Sequence, residues 1–295
     1  MRHRFLALAL LAAMGTVPAA AQRAPNPAPS NAAPSKSERI VSLGGDATEI
    51  LYALGLQDEI VAVDTTSLSP PQALKEKPNV GYMRALSAEG VLSTGATTIV
   101  ANAQAGPPEV VNALKSANLR FLALPGNESP HNVAEKVLII GKAFGREEQA
   151  KALAARIEAG LKRVDERRKH IKKPVRAIFV LGINNGRATV GGAGTTADTM
   201  MQLAGATNAA DFKGYKPLTS EALLSIAPEV VITMRRHGAS DNQTLLNSLP
   251  GYNESPAGKN GRLIEMDAHY LLGFGPRTHE AALDLMSKLY PELAR

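Results

Sequence analysis

LSAEGVLSTGATTIV (residues 86–100) and LTSEALLSIAPEVVI (residues 218–232) align without a gap. Leu, Glu, Leu and Ser coincide, and most of the other pairs are conservative. A Gly-Tyr pair precedes each stretch, ending at Tyr82 and Tyr215, with spacings that differ by one residue. Internal repetition is the first thing to weigh in a new sequence, and a unit half a chain long is too long for a solenoid. The repeat predicts two similar lobes, each with a helix followed by a buried strand in the same relative place.

Outward from the repeat, both halves read as alternating strands and helices. RIVSL (39–43) is a strand, GGDATEILYALG (44–55) a glycine loop feeding a helix, and EIVAV (59–63) a second strand. In the second half RAIFVL (176–181) is a strand, and GGAGTTADTMMQLAG (191–205) repeats the loop-and-helix theme. Alternation of this kind predicts parallel sheets. Between the halves lies REEQAKALAARIEAGLKRVDERRKHI (146–171), where Ala150, Leu153, Ala154, Ile157, Leu161 and Val164 keep helical spacing. Such a helix would run about 39 Å at 1.5 Å per residue, the length of a domain. The expected fold is α/β: two similar lobes with mainly parallel sheets joined by a single long helix, and a ligand cleft between the lobes. The expected boundaries are a signal peptide at 1–21, a disordered tether at 22–38, an N-terminal lobe at 39–145, a spanning helix at 146–172 and a C-terminal lobe at 173–295.

The N-terminus supports export. Arg2 and Arg4 precede a short apolar core, FLALALLAAM, and a small-residue AAA at 19–21. The apolar run is too short to span a bilayer stably. QRAPNPAPSNAAPSKSE has no apolar pattern to bury and reads as a tether. The chain of 295 residues has no cysteine, so disulfides and thiolate metal sites are ruled out. Beyond residue 21 it carries 31 Lys and Arg against 27 Asp and Glu, a mild excess that does not argue for nucleic acid.

Several residues have the chemistry of a site. A phenol titrates near pH 10. To bind a ferric ion at neutral pH it must lose its proton, which a neighbouring guanidinium favours. Tyr82 and Arg84 have the spacing for this if the segment is extended, because residues two apart then point to one side. An isolated Y-x-R is also an ordinary loop decoration, and spacing alone does not separate the two readings. Glu89 and Glu221 occupy the same place in the two repeats, each in the first turn of a helix. They fit either dipole complementation or docking of one carboxylate per lobe onto a basic partner. Arg235 and Arg236 follow the apolar run VVIT, at the expected carboxyl end of a strand, where ligands of parallel sheets sit; carboxylates such as haem propionates would suit them. His237 is a weaker ligand candidate. The GGAGTTADT loop (191–199) is the best argument for an anion cradle, and hence for an exported enzyme, but it lacks the lysine of a P-loop. No nucleophile elbow or acid–base set accompanies it.

The chain resembles the periplasmic haem-binding proteins of bacterial ABC haem importers, within the larger group of siderophore and cobalamin binding proteins. The resemblance is carried by VGYMRALSAEGVL (80–92), GGAGTTADTMMQLAGATNA (191–209), YKPLTSEALLSIAPEVVITM (215–234), LPGYNESPAG (249–258) and LLGFGPR (271–277). It implies Tyr82 as axial ligand to ferric haem, with Arg84 holding the phenolate. It implies Glu89 and Glu221 as the carboxylates that engage an inner-membrane permease. Some members hold two haems with a second ligand from the C-terminal lobe, for which Tyr215, His237 and His269 are the options here. The expected protein is a monomeric periplasmic carrier without catalytic turnover, loaded by a donor such as an outer-membrane receptor. The alternative on the same fold is a ferric-siderophore or cobalamin carrier.

Overall fold

The computed structural model describes residues 38–235, 242–247 and 251–294. The expected signal peptide, the tether up to residue 37, Arg236 and His237 lie outside the described residues. Glu38, assigned above to the tether, already belongs to the folded part: its carboxylate accepts a hydrogen bond from the Thr98 hydroxyl at 2.7 Å.

The first half runs β1 (Ile40–Leu43), α1 (Gly45–Ala53), β2 (Ile60–Val63), α2 (Gln72–Glu76), α3 (Ala88–Leu92), β3 (Thr98–Ala101), α4 (Pro108–Ser116), β4 (Arg120–Ala123) and α5 (Asn132–Ala143). Then comes α6 (Glu147–Arg168). The second half runs β5 (Arg176–Asn184), β6 (Arg187–Gly191), α7 (Thr196–Leu203), β7 (Thr207–Asn208), β8 (Tyr215–Leu218), α8 (Ser220–Ile226), β9 (Val230–Arg235), α9 (Asn242–Asn247), α10 (Pro256–Lys259), β10 (Leu263–Asp267), α11 (Ala268–Leu272) and α12 (Thr278–Leu289).

The first sheet is wholly parallel in the order β2-β1-β3-β4. The second, β10-β9-β5-β6-β8, is parallel only over β10, β9 and β5. Its other side is antiparallel, because β5 folds back on β6 and β6 pairs with β8. The hairpin turn has Asn185 at φ 50° and Gly186 at φ 69°. An Asn-Gly pair with both φ values positive is the standard two-residue hairpin turn.

Both sheets are covered on both faces, as parallel strands require. One continuous core joins Ile50 and Leu51 of α1 and Val137 and Ile140 of α5 to Met200 of α7 and Leu285 of α12. The helix α6 supplies its middle. All six of its periodic residues are buried, Ile157 and Val164 completely. The four larger ones, Leu153, Ile157, Leu161 and Val164, each contribute about 1.5–3 kcal/mol by leaving water. The opposite face of each sheet has its own smaller cluster, around Leu43, Ile99 and Leu114 in the first and Ile178, Val190 and Tyr252 in the second. A core running unbroken from one sheet to the other through α6 resists wide opening. Among the described residues no helix is long and apolar enough to cross a membrane.

Candidate functional site

A cleft of about 890 Å³ opens between the two sheets. It lies at the carboxyl ends of their parallel strands, where Gly45, Thr65 and Asn102 follow β1, β2 and β3, and Ala268 follows β10. The size is in the range of small-ligand sites.

Tyr82, Met83 and Arg84 line the N-terminal wall. Their segment is not extended. The Ala85 amide donates to the Tyr82 carbonyl at 2.8 Å, closing a β-turn with Met83 and Arg84 at its centre. This corrects the reason given above for the pairing: a turn, not strand alternation, brings both side chains to the cleft. Neighbouring loops brace the turn. The Thr65 amide donates to the Gly81 carbonyl at 2.9 Å, and the Gly106 amide to that of Met83 at 2.8 Å. Tyr82 is 43% exposed, high for so large an aromatic residue. Arg84 donates to the side-chain carbonyl of Gln104.

Tyr215 lines the opposite wall. Burial pushes its phenol above the ordinary value, while a hydrogen bond with Thr195 and the charge of Arg84 pull the other way. The charge of Arg84 is therefore felt across the cleft, at Tyr215. Met234 reaches the wall, but its neighbour Arg235 is exposed and does not line the cleft.

A charged network that sequence reading did not find supports the N-terminal wall. Lys136, fully buried, donates to Asp46 at 2.6 Å and to the side-chain carbonyl of Asn127. Asn102 donates to the same Asp46 oxygen at 2.7 Å and accepts from the Gln104 amide at 2.8 Å. Asp46, Asn102, Gln104 and Asn127 all border the cleft.

At the base of the cleft the two lobes are tied together. Arg277 donates to both oxygens of Glu49, at 2.7 and 3.3 Å, and to the Ser69 hydroxyl at 2.9 Å. The Nε2 of His269 donates to Glu49 at 3.2 Å. The imidazole is 7% exposed and wedged so closely between Gly45 and Gly273 that a Cβ at either would collide with the ring. Burial alone would raise the Glu49 carboxyl; the hydrogen bonds from His269 and Arg277, with the charge of Arg277, bring it below its ordinary 4.5. The sign of the pH dependence follows. A depressed carboxyl stabilises the fold fully above its unfolded value and loses that contribution as pH falls through the lower folded value. Acid titration of stability below pH 4.5 should therefore be shallower in Glu49→Gln than in the wild type; superimposable curves would remove Glu49 from the account.

Donors of the glycine loop 191–199 are taken up by the chain itself, the Gly192 and Ala193 amides by the carbonyls of Gly214 and Phe212 at 2.8 and 2.7 Å. The Gly194 amide donates to Asp198 at 3.0 Å, and Asp198 also accepts from Asn208 at 3.0 Å. The Thr195 hydroxyl caps α7 by accepting from the Asp198 amide at 3.1 Å. A carboxylate of the chain itself thus occupies the seat where a bound anion would sit.

Glu89 and Glu221 are both exposed, each one residue into its helix. The two helices are capped alike. Ser87 accepts from Gly90 and Thr219 from Ala222, each at 3.3 Å. Backbone and Thr219 hydrogen bonds lower the Glu221 carboxyl. Among the described residues no cluster of three His, Asp or Glu side chains could hold a metal ion.

Comparison with known proteins agrees with this architecture. A family model described as periplasmic binding protein matches residues 40–270. An uncharacterised ABC transporter substrate-binding lipoprotein of Bacillus subtilis is 29% identical over 259 residues, 86% of this chain and 81% of that one. The vitamin B12-binding protein of Vibrio cholerae is 40% identical over 84 residues, 28% of this chain and 30% of that protein. Among solved structures, the apo form of the periplasmic haem-binding protein RhuT from Roseiflexus sp. RS-1 superposes with a TM-score of 0.80 at 35% identity, covering 88% of this chain and all of that one.

Proposed function

From the premise that this chain belongs to the periplasmic binding protein family, we propose that it captures ferric haem in the periplasm and delivers it to an ABC permease in the inner membrane. The observation that carries the reading is Tyr82 beside Arg84 in the wall of the inter-lobe cleft, in a chain 35% identical to a haem-binding protein over most of its length. Tyrosinate is an established axial ligand of haem iron, and Arg84 lines the same wall as the cation that would accompany it. Met83, Leu181, Met234 and Leu272 line the same cleft and provide the apolar contact that a porphyrin face needs.

Glu89 and Glu221 are the docking carboxylates, one per lobe, and a separate ATPase drives release. An outer-membrane receptor is the donor, and the carrier works as a monomer. One haem sits on Tyr82. A second, if taken, would use Tyr215 on the facing wall or His237, which lies outside the described residues, since the Nε2 of His269 is committed to Glu49. An enzymatic role for the 191–199 loop is disfavoured because Asp198 already satisfies its Gly194 donor.

The 84-residue match to a vitamin B12-binding protein favours a cobalamin carrier as the second reading. Titration of residues 22–295 with ferric haem and, separately, with cyanocobalamin distinguishes them. Haem should bind with a high-spin ferric–phenolate spectrum and cobalamin should not bind measurably. The opposite preference would establish the cobalamin reading.

A further inference from the structure

We propose that Gln104 and Asn127 form, with Arg84, a subsite for a carboxylate on the N-terminal wall of the cleft. The subsite rests on the haem reading, in which the carboxylate is a haem propionate. Which way the two amides must face decides the matter. Lysine and arginine side chains are donors only. The Lys136 ammonium, fully buried, meets the Asn127 side chain, so the oxygen of that amide faces inward. Arg84 meets the Gln104 side chain, so that oxygen is likewise turned toward a cation. Both amides have given their acceptor to a cation of the chain, and both present their NH₂ end elsewhere. Both border the cleft, and among the described residues neither NH₂ group has a protein partner.

The rest of the network holds this arrangement in place. Asn102 is 4% exposed, and both ends of its amide are in use, accepting from the Gln104 backbone and donating to Asp46. Asp46 in turn neutralises Lys136. Arg84, Gln104, Asn102, Asp46, Lys136 and Asn127 are thus linked in an unbroken series of hydrogen bonds. With Lys136 and Asp46 cancelling, the net charge of the series is the single positive charge of Arg84. A wall offering amide donors beside a guanidinium suits an oxyanion, and hydrogen bonds to a charged acceptor are the stronger kind. The assignment puts the carboxylate on the N-terminal wall rather than at Arg235, which does not line the cleft; Arg236 lies outside the described residues.

The test uses Gln104→Glu and Asn127→Asp. Each keeps an oxygen facing its cation and replaces the outward NH₂ with a negatively charged oxygen. Affinities are measured by absorption titration for ferric haem and for ferric haem with both propionates methyl-esterified. Each substitution should weaken haem about tenfold or more, leave the diester within threefold of wild type, and keep the ferric–phenolate spectrum at saturation. Gln104 is exposed, so Gln104→Glu decides the question even if Asn127→Asp disturbs the buried lysine and fails to fold. Unchanged haem affinity, or parallel losses for haem and diester, would overturn the subsite while leaving haem capture intact. Failure of the wild type to bind haem at all would overturn both.

Discussion

Tyr82→Phe is expected to abolish the ferric–phenolate absorption bands and to weaken ferric haem about a hundredfold, or roughly 3 kcal/mol. The substitution removes one oxygen and keeps the ring. The local backbone should survive it, because the turn is closed by main-chain hydrogen bonds from Ala85 to Tyr82 and from Gly106 to Met83. The same reasoning supplies a control. Metal-free protoporphyrin has no iron to ligate, so its affinity should be the same for both proteins. Arg84→Met should give a milder result: the phenolate loses its cationic neighbour and Gln104 loses its donor, but the iron–oxygen bond remains available. A phenylalanine variant that retained the phenolate spectrum would place the ligand elsewhere, with Tyr215 on the facing wall the first candidate.

The second large effect concerns delivery. In Glu89→Lys combined with Glu221→Lys, haem affinity should be unchanged while uptake falls at least tenfold. The measurement is ATP-driven haem uptake into proteoliposomes holding the cognate permease and ATPase. Both carboxylates are exposed and neither lines the cleft. The cap bonds from Gly90 to Ser87 and from Ala222 to Thr219 do not need the substituted side chains, although Glu221 also accepts from Thr219 and loses that bond on substitution. The local cost of a lysine at each helix start is about 0.3–1 kcal/mol. Opposing a like charge at a docking contact costs several kcal/mol per site, so loss of transport is the dominant result. Each single reversal should fall between wild type and double variant, since the repeat places one carboxylate on each lobe. Wild-type uptake by the double variant would reduce both residues to dipole complements.

Sequence and structure agree most closely where the physics is periodic. Burial of Ala150, Leu153, Ala154, Ile157, Leu161 and Val164 is written into their spacing, and α6 presents that face to the core. The repeated Leu-x-x-Glu segments form α3 and α8 with matching caps. The antiparallel side of the second sheet departs from the expected parallel pattern, although its signal is present: Asn185-Gly186 separates two short β-prone runs and makes the hairpin turn. Tyr82, Arg84, Tyr215 and His269 are legible as candidates in the sequence, and all four line one cleft. The local geometry of Tyr82 and Arg84 is not legible, because an irregular turn leaves no period to read. The amides at 102, 104 and 127 leave no trace in the pattern. Their meaning depends on Lys136, which carries a charge inside an otherwise apolar helix face and becomes intelligible only once Asp46 is seen against it. The Glu49–Arg277 pair spans 228 residues of chain, beyond the reach of any local rule.

That pair also bears on mechanics. The halves of the molecule are connected through α6 and, separately, through Glu49 with His269, Arg277 and Ser69. With a continuous core already running between the sheets, this tie means that any relative motion of the halves must strain packed and ion-paired contacts together. Anything that opened the cleft at its base would have to part Glu49 from Arg277, and breaking a partly buried ion pair costs more than breaking an exposed one.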